Sequence, residues 1–247
     1  MTSTLSYERL LAQIAERSGT LRSAAAGVLD APVPACPKWT GRDLVAHLGE
    51  VQRFWATVVG SERADVAPDD ADVPDREPTG DLLDWSEGGS DALVAALRAA
   101  GQHRPAWTWW GQPATVGAIA RHQVQEAAVH AWDAQDAAGR AGALPADIAL
   151  DGVEEFLAVS VPTNGTWPHP AATIGIVADE ALDHGWRVVL ADGATRVEPG
   201  AAKGDVVLRG GAGDLLLACY GRRGPGSLTV EGDHEVAERF LSWLVTE

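Results

Sequence analysis

Residues 121–133 read Arg-His-Gln-Val-Gln-Glu-Ala-Ala-Val-His-Ala-Trp-Asp. Glu126 and His130 stand four apart, so on a helix both side chains leave the same face one turn from each other. Their neighbours Ala127, Ala128, Val129 and Ala131 are small or apolar. A carboxylate and an imidazole on a face that packs inward are costly unless something pairs with them, and a divalent metal does so. The same spacing also occurs as an ordinary acid–base pair on solvated helices, so this segment alone leaves both readings open.

Working outward, the segment belongs to a helix predicted from Thr115 to about Gly139. A second helix is expected at about 40–60, with Thr40 as N-cap and Asp43 in capping-box position. Its apolar face carries Leu44, Leu48 and Val51, with His47 among them. His47 fits the role of a third ligand, and a His/Glu/His set leaves an open coordination position. Two nitrogens and an oxygen suit zinc, and also nickel, iron or manganese. Apolar periodicity predicts further helices at 5–29 and at about 80–101, the latter with a possible break at Gly88-Gly89. Three prolines in 30–37 end the first, and the acidic, Pro-rich stretch 61–80 reads as a surface loop. Four amphipathic helices within 140 residues suit a four-helix bundle.

Beyond Gly139 the texture changes. A helix over 146–160 leads to a breaker-rich loop, then short β-type runs at 173–177, 186–190, 195–198 and 206–208. Asp192-Gly193 is a hairpin signal. A helix at 213–220, a strand at 227–230 and a closing helix at 233–245 capped by Asp233 complete an α+β module. The expected division is 1–140 and 141–247. Gly210-Gly-Ala-Gly213 opens a helix and has some potential to hold an anion on free N–H groups. Tyr220-Gly-Arg-Arg-Gly224 sets two arginines in a loop, suited to carboxylate recognition or simply solvated.

Composition bounds the function. Nineteen basic against 35 acidic residues give a net charge of −16, which excludes a nucleic-acid partner. No apolar run approaches the roughly 18–20 residues of a membrane span. The N-terminus has no basic, then apolar leader pattern, and the two cysteines, Cys36 and Cys219, form no motif. A reduced, cytoplasmic protein is expected. Ten tryptophans against three phenylalanines are unusual. Trp55, Trp109, Trp110 and Trp132 are candidate pocket walls, with core packing the competing role. His122 is expected exposed or behind the ligands, and His103, His169, His184 and His234 at the surface. No G-x-S-x-G elbow, Walker loop or H-E-x-x-H is present.

Lys38-Trp-Thr-Gly-Arg-Asp-Leu-Val-Ala-His47-Leu-Gly-Glu-Val, Pro113-Ala-Thr-Val116 and Glu126-Ala-Ala-Val-His130-Ala-Trp-Asp133 together resemble the mycothiol-dependent maleylpyruvate isomerase family. The stretch Asp205-Val-Val-Leu-Arg-Gly-Gly-Ala-Gly-Asp-Leu-Leu-Leu, then Tyr220-Gly-Arg222 and Leu228-Thr-Val-Glu-Gly-Asp233, extends the resemblance over nearly the whole chain. It implies a DinB-like metal-binding four-helix bundle followed by a smaller α+β domain. It implies His47, Glu126 and His130 as ligands of a divalent metal, zinc first, with mycothiol as co-substrate and Arg222 as a catalytic arginine. The activity implied is thiolate addition to an electrophilic or carboxylate-bearing small molecule, ending in cis-trans isomerisation or thiol transfer. The competing expectation is a non-catalytic, metal-binding small-molecule binding protein on the same fold.

Overall fold

The computed structural model describes residues 5–183, 185–191, 193–200 and 202–244. The expected surface position of His184 and the Asp192 half of the hairpin signal lie outside them.

The chain divides into two compact units, one running to Ala143 and the other starting at Leu144. The first is helical: α1 (Tyr7–Ala25), α2 (Gly41–Gly60), α3 (Leu82–Ala100) and α4 (Val116–Ala137). Helix α1 packs along α4 and α2 along α3, with α1–α3 and α2–α4 contacts closing the bundle. Thr40 caps α2 in a reciprocal capping box, its hydroxyl accepting from the Asp43 N–H while Asp43 accepts the Thr40 N–H. Thr115 caps α4 by a one-way bond, its hydroxyl accepting the Ala118 N–H. Helix α4 buries most of its residues from Ile119 to Ala134, on nearly every face, which is why alanines fill it and its periodicity is weak.

Two expectations are corrected here. Helix α1 stops at Ala25, short of the expected end at residue 29, and the Pro-rich stretch after it is ordered. It forms the two-stranded hairpin β1 (Pro32–Val33) and β2 (Cys36–Thr40), whose last residue caps α2. Prolines are tolerated on so short a sheet because each strand is an edge and needs few ladder N–H groups. Gly88-Gly89 does not break α3. The pair makes room for Arg53, whose guanidinium lies 4.1 Å over the Trp85 ring and donates to the Gly49 and Trp85 carbonyls at 3.2 and 2.6 Å. A Cβ on Gly89 would stand 2.5 Å from that guanidinium and 2.8 Å from the Gly49 carbonyl oxygen. The glycines are there for close approach of helices and arginine, not for a turn.

The second unit is α+β. Helix α5 (Ala146–Thr163) precedes β3 (Ala172–Ala178), β4 (Gly185–Ala191), β5 (Ala194–Gly200), β6 (Val206–Gly210), α6 (Ala212–Cys219), β7 (Thr229–Gly232) and α7 (His234–Leu244). The sheet order is β5-β4-β3-β6-β7, with β3 and β6 parallel and the other pairs antiparallel. Ile174, Val188 and Val206 share one register row and are all buried. Alternation along β4 buries Trp186, Val188 and Leu190 and leaves Arg187 to pair with Glu198 of β5. Helix α5 packs on β5, and α6 and α7 pack on β6. Asp233 caps α7 through the Glu235 and Val236 N–H groups.

The glycine-rich turn before α6 does hold an anion, and the anion is internal. Glu180 accepts the Ala212 N–H at 2.9 Å, so the expected vacancy for a phosphate or carboxylate at that amide is already filled. Cys219 on α6 is 3% exposed, and burial pushes its thiol up to about 12. At pH 8 the reactive thiolate form is then scarce. Native protein treated with a maleimide at that pH is therefore expected to take at most one label, on Cys36, and a second only after unfolding. Mass spectrometry showing Cys219 labelled at the rate of a free thiol would contradict this.

Candidate metal centre and its pocket

Helix α2 sets His47 between the fully buried Leu44 and Leu48, so the register that packs the bundle also carries the imidazole toward α4. Glu126 and His130 come from successive turns of α4. His47 Nε2 lies 3.1 Å from Glu126 Oε1, and His130 Nε2 lies 3.3 Å from the same oxygen. One donor atom from each of the three residues lies within 4.8 Å of the others. Ligands bound tetrahedrally at about 2.0–2.1 Å stand roughly 3.4 Å apart, and two of the three separations are of that size. The residues thus fit a divalent ion by donor type and by spacing, with coordination positions left for another ligand.

Asp133, wholly buried one turn beyond, accepts the Nδ1 proton of His130 at 2.9 Å. That fixes the ring and leaves Nε2 as the atom able to bind a cation, the usual work of a carboxylate behind a metal-bound imidazole. Burial pulls the His130 imidazole down, but Asp133 and then Glu126 hold it up at about 9. Burial pushes the Glu126 carboxyl up, and hydrogen bonds and charge from His130 and His47 outweigh it, holding the group well below the carboxylate range. A proton on His130 thus supplies positive charge between Glu126 and Asp133, and a bound divalent ion would take over that part. With Asp133→Asn, metal affinity is expected to fall about 10–100-fold, read by competition with a chromogenic chelator. An unchanged affinity would remove Asp133 from the site.

Sequence reasoning missed three neighbours. Trp39 of β2 lies over the imidazoles, its ring 4.7 Å from His47 and 5.9 Å from His130. Nothing in a Pro-rich segment signals a hairpin that folds back on α2. Arg76, inside the stretch read as plain acidic loop, lines a cavity of about 380 Å³ together with His47 and Glu126. Its Nε donates to Glu50 at 2.7 Å and its NH1 pairs with Asp70. Phe54, on the α2 face, lines the same cavity.

His122 is buried at 9% exposure and lines this cavity, so of the two expected placements, exposed or behind the ligands, the exposed one is corrected. A helix buried on nearly every face has no solvent side to give it. Trp55, Trp109 and Trp110 surround it, with ring centroids 6.3, 5.8 and 5.0 Å away. Of the four candidate wall tryptophans, Trp55 and Trp109 line the cavity. Trp110 is buried behind them, its indole N–H donating to the Pro113 carbonyl. Trp132 belongs to the interior and donates to the Gly142 carbonyl. A larger hollow, about 660 Å³, lies against Arg53 and the 61–74 segment and has neither His47, Glu126 nor His130 in its wall.

In the second unit, Arg222 follows α6 and is half-buried, its guanidinium donating to the Tyr220 carbonyl at 2.8 Å. Arg223 faces Asp214 at 3.8 Å. His103 and His234 are exposed and His169 half-buried. Among the described residues no helix is long and apolar enough to cross a membrane.

Comparison with known families gives two matches. The mycothiol maleylpyruvate isomerase N-terminal domain matches residues 10–135 and the MDMPI C-terminal domain matches residues 147–239. No curated protein matches the sequence. Among solved structures, a mycothiol-dependent maleylpyruvate isomerase superposes with a TM-score of 0.65 at 16% identity, covering 94% of this chain and 96% of its own. A histidine-to-alanine mutant of a mycothiol-dependent maleylpyruvate isomerase superposes with a TM-score of 0.62 at 15% identity, with the same coverage. At such identity the likeness establishes the fold: a helical first part and a sheet-containing second part.

Proposed function

The chain belongs to the mycothiol maleylpyruvate isomerase family, and from that premise we propose a metal- and thiol-dependent enzyme that adds mycothiol to an electrophilic small molecule. The observation that carries this reading is the meeting of three donor atoms within 4.8 Å, from two helices, with His47 and Glu126 of the set lining a cavity. His47, Glu126 and His130 would hold a divalent ion, zinc by preference. Such an ion, when bound, lowers the pKa of a coordinated thiol and so supplies a nucleophile at neutral pH. Supplying the sulfur from a co-substrate suits a chain whose Cys219 is buried and kept protonated. It also suits a reducing cytoplasm, where a small thiol is maintained.

The protein's own part is positioning. Asp133 holds the His130 ring, and Trp39 packs over both imidazoles. Arg222, in the second unit, is the arginine the family resemblance nominates for catalysis, and a guanidinium is suited to stabilising negative charge on an oxygen. Addition converts a double bond into a single bond that can rotate. Expulsion of the thiol then gives the isomer, and retention gives the S-transfer product.

The test combines metal content with turnover. Purified protein is expected to carry about one equivalent of zinc or a similar ion. Removing it with a chelator should abolish mycothiol-dependent conversion of maleylpyruvate or another electrophile, and adding it back should restore conversion. Tight stoichiometric metal with no turnover of any electrophile would instead make this a binding protein.

A further inference from the structure

The cavity beside His47 and Glu126 is walled on its apolar side by Val51, Phe54, Trp55 and Trp109. Trp109 is 47% exposed, one of three large hydrophobic side chains so exposed among the described residues. Its ring is braced edge-on by Trp110 at 5.3 Å and by His122 at 5.8 Å, both of them buried. A large indole fixed from behind yet left half in water is a surface for a ligand to cover. At about 380 Å³ the cavity is at the small end of ligand sites, room for a single ring and a short side chain.

Charge narrows the ligand further. Among the described residues Arg76 is the one Lys or Arg in the cavity wall, and Glu50 and Asp70 already engage it. Glu50 and Glu126 are in the same wall. With a divalent ion bound, the two carboxylates and the guanidinium leave a single positive charge, and a thiolate cancels it. No cationic charge then remains in this wall for a dicarboxylate, whose desolvation would go uncompensated.

We infer that this cavity takes an uncharged, planar, aryl-conjugated carbonyl compound, stacked against Trp109, in preference to a small dianion. The inference rests on the thiol-addition reading above and names its substrate class. The thiolate sulfur bonds to the β carbon, and the alkene π pair moves to the carbonyl oxygen as an enolate. A proton from solvent at the α carbon completes the adduct. Alternatively, rotation about the new single bond and return of the pair expels the thiolate, giving the geometric isomer and regenerating the thiol.

The experiment compares 4-phenylbut-3-en-2-one with maleate, using the zinc-loaded full chain and mycothiol. Thiol consumption and isomer formation report reaction, and saturation-transfer NMR reports binding without turnover. The phenyl enone is expected to exceed maleate about ten-fold in kcat/KM. Trp109→Ala should lower that ratio about ten-fold, mainly through KM for the enone, and Trp109→Phe should keep most of it, since one stacked ring is worth about a decade in affinity. A preference for maleate, or equal losses on both substrates in Trp109→Ala, overturns the inference. Should maleate react while the enone neither binds nor reacts, the inference falls and thiol addition stands. Should the enone bind in a Trp109-dependent way with no thiol consumed, thiol addition falls and the cavity assignment stands. Neither binding nor reaction overturns both.

Discussion

His47→Ala protein is expected to retain its fold and lose its metal. His47 is 31% exposed at the side chain and stands at the edge of the cluster, so truncation leaves the packing of Leu44 and Leu48 in place. The remaining pair, Glu126 and His130, is two donors on one helix, too few to hold zinc against water. Loss of a direct ligand should exceed the 10–100-fold typical of outer partners, so affinity is expected to fall by roughly 10³-fold or more. Thiol-dependent turnover should fall with it, to the level of chelator-treated protein. The measurement is metal content by mass spectrometry beside circular dichroism and a turnover assay. Stoichiometric zinc in a folded His47→Ala protein would remove the residue from the ligand set and, with it, the geometric basis of the proposed function.

Arg53→Ala is expected to give a large loss of stability while leaving the site's own residues untouched. Burial pulls the Arg53 guanidinium below its ordinary value, opposed by the charge of Asp75. Its ties are to two carbonyls and the Trp85 ring, which is itself pinned by an indole N–H bond to the Asp75 carbonyl at 2.9 Å. Truncation removes both charge-assisted bonds and the ring contact, and leaves a void between α2 and α3 that the glycines cannot fill. A cost of about 3 kcal/mol is expected, a fall in Tm of roughly 6–12 °C for a unit of this size. Gly49→Ala attacks the same joint from the other side, since its Cβ would stand 2.4 Å from the Trp85 ring. A melting temperature for Arg53→Ala within 2 °C of the parent, by calorimetry, would show the arginine to be incidental.

These residues mark what the sequence could and could not disclose. Helices α2 and α4 were legible because Thr40 and Asp43 form a cap by local chemistry alone, and because i, i+4 spacing puts Glu126 and His130 on one face whatever surrounds them. His47 was legible as a polar residue inside an apolar stripe. The function of Gly88-Gly89 was not, because a glycine pair reads identically as a break and as a slot, and only the arginine from another helix decides. Trp39 and Arg76 were hidden for a related reason. Both sit in segments whose local signal is loop, and each gains its place by folding back on a helix far away in sequence. His122 looked solvated because polar residues on a helix usually mark its wet side, and α4 scarcely has one.

The placement of Glu126, His130 and Asp133 along α4 also constrains how this protein can change. All three depend on one rotational phase of a single helix, and a residue inserted between Glu126 and His130 would swing His130 and Asp133 about 100° around the axis. No adjustment elsewhere restores them, because the helix is embedded on nearly every side. Length variation among descendants of such a chain should therefore gather in the 61–80 segment and between α4 and α5, while the span from Glu126 to Asp133 keeps its residue count even where its alanines are exchanged.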